Sequence, residues 1–360
     1  MKMKVVVAMS GGVDSSVAAA LLREQGYEVI GVTMRLQPSD CSEGCYSRDV
    51  AADAKKIAQK LDIPHQVFDF TDVFARDVIT DFCREYSLGR TPNPCIRCNH
   101  YIKFGALLKQ AQELGVNMVA TGHYARIEKE NGSGRYLLKK GADHLKDQSY
   151  MLCMLTQEQL GHSLFTVGDL TKEEVRHTAE RLGLPISDKA ESHEICFIPN
   201  NDYPKFLVEY TGITALPGPI IDRRGNVIGE HRGIASYTIG QRKGLGIASR
   251  EPLYVTAIDP EKNTITVGGK SEVYATELIA SDLNWISIER LDSPINVKAR
   301  IRYRHREAAA TVTPAGTGEA MVEFREPQMA ITPGQAVVFY DGDIVLGGGL
   351  IARTGREVLS

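Results

Sequence analysis

Near the amino terminus an apolar run, Val5-Val6-Val7-Ala8-Met9, passes directly into Ser10-Gly11-Gly12-Val13-Asp14-Ser15-Ser16, and a helical pattern begins at about residue 14. This junction limits the fold more than any other stretch. An unbroken apolar run has no wet face, so it reads as a strand covered on both sides, as in a parallel sheet. The paired glycines allow a sharp turn, and a helix starting there directs its unpaired N–H groups back over the strand end. Parallel strands need crossovers, so more strand–helix units must follow. Glu28–Met34, His65–Asp69 and Val116–Thr121 read as those strands, with helices over 14–25, 47–61, 72–86 and 100–114. In the second helix Val50, Ala54, Ile57, Ala58 and Leu61 recur at helical spacing, and Gly26 and Gly115 stop the first and last. The expected fold is an α/β doubly wound parallel sheet.

Beyond about residue 200 the texture changes. Pro217-Gly218-Pro219 and Arg224-Gly225-Asn226 punctuate the chain, and short β-rich runs follow: Leu253–Ile258, Thr264–Val267, Val297–Tyr303, Ala320–Phe324 and Gln335–Tyr340. They predict small all-β modules with a barrel at the carboxyl end. Three domains are expected, over residues 1–203, 204–278 and 279–360, a division suited to 360 residues. Hydrophobic residues at 43% and charged residues at 24% exclude a disordered or collagen-like chain. No apolar run approaches the ~20 residues of a membrane helix, and Asp14 ends the first apolar run too early for a signal peptide. Seven cysteines, an odd number without the spacing of a secreted disulfide framework, point to a reducing, cytoplasmic setting. The net charge of −3 does not decide for or against nucleic acid, because a whole-chain balance hides local patches.

The chemistry of the Ser10–Ser16 loop suits a phosphate. Gly11 and Gly12 let the backbone approach an anion, the helix start supplies N–H groups, Ser10, Ser15 and Ser16 add hydroxyls, and Asp14 offers a carboxylate to Mg²⁺. Neither the Walker string nor Gly-x-Gly-x-x-Gly is present. The competing reading is a glycine turn capped by Ser and Asp. The string resembles the Ser-Gly-Gly-x-Asp-Ser loop (PP-loop) of the ATP pyrophosphatases, which cleave ATP between its α and β phosphates. That resemblance implies adenylation of an oxygen with release of pyrophosphate.

Two thiol segments follow, Thr91-Pro92-Asn93-Pro94-Cys95-Ile96-Arg97-Cys98-Asn99 and Ser192-His193-Glu194-Ile195-Cys196-Phe197. A thiol at a helix start has a lowered pKa, and Arg97 would lower it further. A structural metal or plain buried thiols are the alternative. With Thr121-Gly122-His123-Tyr124-Ala125-Arg126, Lys146-Asp147-Gln148-Ser149-Tyr150, Tyr237-Thr238-Ile239-Gly240-Gln241-Arg242-Lys243-Gly244, Pro333-Gly334-Gln335 and Gly347-Gly348-Gly349, these segments make the chain similar, over nearly its whole length, to the tRNA uridine 2-sulfurtransferase family. The resemblance implies ATP-dependent 2-thiolation of uridine at wobble position 34, with Cys98 as nucleophile, Cys196 as persulfide carrier and a Cys98–Cys196 disulfide during turnover. It implies ATP contacts at Ala8, Met9, Ser10, Gly11, Gly12, Val13, Asp14, Ser15, Met34 and Gly122. It places the target base at Asn93, Pro94 and Cys95, and tRNA contacts at His123, Lys146, Asp147, Gln148, Arg302, Tyr303 and Gln335. The implied partners are the anticodon stem-loop of tRNA and a sulfur-donor protein.

Cys95 departs from a pattern in which many members of the family carry Asp there. Two schemes stay open: the persulfide–disulfide route without that carboxylate, or a [4Fe–4S] cluster ligated by Cys95, Cys98 and Cys196. Cys41 and Cys45 form a looser pair read as incidental, and Cys83 and Cys153 read as core residues. Lys298, Arg300, Arg302, Arg304 and Arg306 recur at period two, which on a strand puts five cations on one face, a phosphate-tracking surface or a solvated face paired with glutamates. The alternative functions are an amide-forming synthetase on a small metabolite, needing neither thiol, and a non-catalytic RNA-binding protein.

Overall fold

The computed structural model describes residues 2–37, 47–184, 195–198, 200, 202–212 and 215–355. They form two compact units. The first takes in residues 1–79, 94–199 and 343–346, the second 80–93, 200–342 and 347–360.

In the first unit β1 (Lys4–Ala8), β2 (Glu28–Arg35), β3 (His65–Asp69), β4 (Val119–Ala120) and β7 (Ser163–Leu164) make a parallel sheet in the order β3-β2-β1-β4-β7. Strand order reverses at β1, so a crevice opens between the carboxyl ends of β1 and β4, where open sheets bind ligands. Val5, Val6 and Val7 are completely buried. Their sheet packs against α1 (Val13–Glu24), through Val17, Ala18 and Leu22, and α2 (Ser47–Lys60), through Ile57 and Ala58. A β5–β6 hairpin (Ala125–Lys129 and Tyr136–Lys140) pairs with Ile344 and Val345, the first residues of β17 (Ile344–Thr354).

The expected parallel sheet is present, with local differences. The strand expected over Val116–Thr121 shrinks to Val119–Ala120. Val116 N–H is already given to Ala111 O and Gly115 N–H to Gln112 O, a Schellman end that binds Val116 into the preceding helix. The helix expected from residue 100 starts at Pro94, since proline suits the first helical turn. It runs Pro94–Arg97, widens to a π-helix over Cys98–Ala106, and returns to α over Leu107–Glu113. A second π segment, Ala75–Ile79, lies within the predicted 72–86 helix.

The second unit carries the β modules. A four-stranded sheet has the order β10-β11-β8-β9, from β8 (Gly218–Ile221), β9 (Val227–His231), β10 (Tyr254–Asp259) and β11 (Thr264–Gly268). The carboxyl-terminal barrel, as expected, closes through β12 (Tyr274–Trp285), β15 (Ala320–Met329), β14 (Ala308–Pro314), β13 (Ile295–Arg300), β16 (Ala336–Asp341) and β17, whose later residues pair back onto β12. Val297, Ala299, Val312, Val322 and Phe324 alternate into its core.

The five-cation strand is not formed. β13 ends at Arg300, and His305 N–H closes on Arg302 O in the turn that follows. Arg300 pairs with Glu307 at 2.7 Å and lies over the Tyr340 ring, while Arg304 and Arg306 are exposed in the loop. A turn separates the like charges that an extended strand would hold side by side.

Ile57 is fully buried between α2 and the sheet. Ile57→Ala is expected to cost about 2–5 kcal/mol, read as a lower urea midpoint at unchanged m-value.

Candidate active site

The phosphate loop leaves β1 where Met9 N–H donates to Val32 O at 2.8 Å. Gly11 has φ +63°, and a Cβ there would sit 3.0 Å from Val50 O. Gly12 is the N-cap of α1, and no side chain caps the helix. Ser15 and Ser16 hydroxyls instead donate to Gly12 O, at 3.2 and 2.8 Å, and Ser10 N–H donates to Ser15 Oγ at 3.2 Å. The first-turn N–H groups are therefore left for an anion. Ala8 and Met9 are buried beneath the loop, Thr33 hydroxyl donates to Met9 O, and Met34 is half-buried on β2.

Gly122, at the end of β4, meets this loop backbone to backbone. A Cβ on it would lie 2.5 Å from the Asp14 carbonyl carbon and 2.6 Å from Ser15 N, so no other residue fits without moving α1. Two residues on, Tyr124 hydroxyl donates to Asp14 Oδ1 at 2.7 Å, and Lys172 ammonium donates to the same oxygen at 2.7 Å. Lys172 escaped the sequence reading because 158 residues separate it from Asp14. One carboxylate plus ligand phosphates is an ordinary Mg²⁺ set, so Asp14 fits that ion.

Cys95 and Cys98 lie three residues apart on the Pro94–Glu113 helix, and Cys196 lies in a turn closed by Ile198 N–H on Ile195 O. The turn is anchored by Phe197, packed edge-on against Phe74 with ring centroids 5.5 Å apart. All three thiols are reduced. Cys98 is buried; Cys95 and Cys196 reach solvent, yet protein crowds all three. Burial pushes Cys98 up to about 11 and Cys196 up to about 12, with the neighbouring thiols adding to the rise at each, and burial raises Cys95 as well. This reverses the expected activation. The resting thiols are neutral, and Arg97 does not serve them: its Nε donates to Asp77 O at 2.8 Å and its guanidinium covers the Tyr101 ring.

The cation beside the thiols is Lys103, whose charge opposes the rise at Cys95, Cys98 and Cys196. The π-helix explains how it gets there. In an α-helix residues i and i+5 point about 140° apart. The wider π turn, where Leu107 N–H reaches back five residues to Ile102 O, narrows that angle between Cys98 and Lys103. No sequence periodicity announces a π segment. Among the described residues no carboxylate pairs with Lys103. The same charge acts on His123, which is buried, hydrogen-bonded to Thr121 Oγ1 at 2.7 Å and packed on Phe104 and Phe165. Burial holds His123 well below the usual imidazole range, hence neutral. Gly122 and His123 thus join the phosphate loop to the thiol cluster within one unit.

The 141–149 turn is tied by internal hydrogen bonds. Asp147 is buried and accepts from Gly141 N–H, Ser149 N–H and Ser149 hydroxyl, while Gln148 exchanges hydrogen bonds with the Tyr124 backbone; Lys146 N–H closes on Asp143 O. The turn positions Tyr124 and, through it, Asp14. Pro94 is buried in the first unit. In the second unit Gln335 amide donates to Thr91 O and Pro92 O, next to Asn93, and Arg302 donates to Met329 O; Tyr303 is half-buried. Cys83 and Cys153 are buried. Cys41, Cys45, His193 and Glu194 lie outside the described residues. Among the described residues no three His, Cys, Asp or Glu side chains converge as a metal site.

Iodoacetamide labelling checks the thiol electrostatics. With the Cys98 pKa raised to about 11, its thiolate fraction is small at pH 7. Its labelling rate is expected to climb about tenfold per pH unit up to that value; a plateau below pH 9 would contradict the burial argument.

Three family profiles match the chain: one described as a tRNA methyl transferase HUP domain over residues 3–200, a tRNA methyl transferase PRC-barrel domain over 204–269 and an aminomethyltransferase beta-barrel domain over 275–351. The tRNA-specific 2-thiouridylase MnmA 1 of Caldanaerobacter subterraneus subsp. tengcongensis is 54% identical over 359 residues, covering 98% of this chain and 99% of the relative. The MnmA proteins of Acetivibrio thermocellus (53% identical, 97% of this chain, 99% of the relative) and Heliobacterium modesticaldum (55%, 98% and 93%) are equally close in kind. With such identity over nearly its full length, the chain belongs to the tRNA-specific 2-thiouridylase family.

Proposed function

We propose that this chain is an ATP-dependent tRNA-uridine 2-sulfurtransferase acting at wobble position 34. The observation that carries the reading is the Gly122–His123 link, which puts the phosphate loop and the Lys103-flanked thiols around one crevice of one unit.

ATP binds with its phosphates over Ser10–Ser15, against Gly122 and near Met34, and Lys172 and Asp14 supply a cation and a Mg²⁺ ligand. Mg²⁺ neutralises phosphate charge when bound. The flipped uridine is received by Asn93, Pro94, Cys95 and neutral His123. Its 2-carbonyl oxygen attacks the α phosphorus, the bond to the β phosphate breaks, and pyrophosphate leaves. The terminal sulfur of a Cys196 persulfide, loaded by a donor protein, attacks the activated carbon, and AMP departs with the oxygen. The tRNA is then joined to Cys196 through a disulfide. Cys98 thiolate attacks Cys196 Sγ, forms the Cys98–Cys196 disulfide and releases 2-thiouridine. An external thiol reduces that disulfide to reset the enzyme. Lys103 balances the charge on sulfur at both transfers, which offsets the burial that keeps the thiols neutral at rest. Cys95 stands where many related proteins carry a carboxylate, so it contributes a third thiol and no base.

Further along, Lys146, Asp147, Gln148, Arg302, Tyr303 and Gln335 serve the anticodon stem-loop, with residues 1–203 as the catalytic domain, 204–278 as a central module and 279–360 as the RNA-facing barrel. The enzyme acts in the cytoplasm, and among the described residues no helix is long and apolar enough to cross a membrane.

Cys98→Ser and Cys196→Ser are each expected to lower 2-thiouridine formation at least ~10³-fold while tRNA-dependent release of pyrophosphate from ATP persists. An amide-forming synthetase would keep full activity in both. Lys103→Met is expected to slow sulfur transfer and Cys98 alkylation about tenfold each, the effect of one nearby charge, with single-turnover pyrophosphate release unchanged and Lys103→Arg restoring most of both. Equal loss of pyrophosphate release would assign Lys103 to ATP instead.

A further inference from the structure

The chain from Gln241 to Leu253 has no regular secondary structure, yet it is firmly built. Its ends meet: Gly240 N–H donates to Val255 O at 2.8 Å and Val255 N–H to Gln241 O at 2.9 Å. The Gln241 side chain folds inward, accepting from Thr238 N–H and donating to Lys243 O. Leu245 is buried in a small core with Ile220, Tyr237, Val255, Ile265 and Val267, and Ile247 packs beside it. A compact surface loop with adjoining ends, filled by its own side chains, is an Ω-loop.

Between these anchors the loop borders an open cavity of about 620 Å³, lined by Arg242 and the residues from Gly244 to Leu253, with Lys243 outside the lining. Gly244 and Gly246 have φ +79° and +69°, and a Cβ on Gly246 would meet nothing within 4 Å. These glycines are required by backbone conformation, not by lack of room. Left-handed residues within a turn bring successive N–H groups to one side, the geometry of an anion nest.

Charge agrees. Arg242, Lys243 and Arg250 are exposed, with Glu251 the acid among the lining residues. Among the described residues none of the three cations makes an ion pair or side-chain hydrogen bond, whereas Arg300 of the barrel is paired with Glu307. Cations left without partners on a tethered loop invite an anion. The loop from Arg242 to Leu253 contains no aromatic residue, so it offers no platform on which a base stacks. Its donors suit phosphates and not base edges.

We propose that the Gln241–Leu253 loop is a phosphodiester cradle, gripping the backbone of the RNA substrate without reading its sequence. This rests on the reading that tRNA is the substrate. It adds a second patch of exposed positive charge, on the loop between β9 and β10, to the exposed Arg304 and Arg306 of the barrel.

The test is equilibrium binding of unmodified tRNA to the full-length protein over about 50–300 mM KCl, for the wild type and for Arg242→Ala/Lys243→Ala/Arg250→Ala. The variant is expected to bind tRNA at least tenfold more weakly. The slope of log K against log salt should be shallower by about two to three, roughly one unit for each phosphate no longer neutralised, with ATP affinity within twofold of wild type. Unchanged affinity and slope overturn the cradle. Weakened ATP binding with unchanged tRNA binding overturns it too, and assigns the loop to a free nucleotide. Wild type that fails to bind tRNA sinks the proposed function itself, an outcome separate from both. Should the triple variant melt early, Lys243→Glu replaces it, with the same reduction in slope, by about one to two, as the deciding result.

Discussion

The contact on which the structure turns is the meeting of two backbones, Gly122 against Asp14 and Ser15. Only hydrogen fits between them. It locks the end of β4 to the start of α1 across the crevice where strand order reverses. Three consecutive residues then take three directions. Gly122 touches the phosphate loop, His123 enters the field of Lys103, and Tyr124 returns to Asp14 through its hydroxyl. The Gln148 side chain holds the Tyr124 backbone from behind, and the buried Asp147 ties the turn that carries Gln148 to Gly141 and Ser149. Activation of an oxygen and delivery of sulfur need a shared frame, and this short segment provides it.

The sulfur side obeys a different constraint. Crowding by protein makes thiolate costly at Cys98 and Cys196. A resting site of neutral thiols is protected from premature reaction, since thiolate is the nucleophile and the form most open to oxidation. The π-helix carries both Cys98 and Lys103, whose charge opposes that cost. It also brings Arg97 to the Asp77 carbonyl on the other π segment, so the two widened helices brace each other. Rare helical geometry here serves placement, with the charge set where sulfur changes partners.

Much of the fold was legible because local rules and tertiary structure agree. Val5–Val7 could only be a doubly covered strand, and Ser10–Ser16 could only follow it as a turn into a helix. The rest was hidden for nameable reasons. Val116 looks like a strand residue but its N–H belongs to a helix end. Lys103 stands at a spacing that an α-helix would turn away, and Lys172 meets Asp14 only through the fold. The period-two cations imitate a strand face, yet the chain turns after Arg300, and burial outweighs the helix-start effect expected at the thiols. Gly244 closes a matched string and Gly246 follows two residues on, but their left-handed conformation and the open cavity they border are properties of the folded loop.

The central claim is that adenylated uridine and the Cys196 sulfur meet in one crevice and that Cys98 resolves the product. The most direct measurement is denaturing gel analysis of the Cys98→Ser protein, persulfidated on Cys196 and mixed with tRNA and ATP. Without Cys98 to release it, a tRNA–protein disulfide adduct should accumulate, require ATP, map to Cys196 and disappear with a reducing thiol. No adduct, or the same adduct without ATP, would contradict the account.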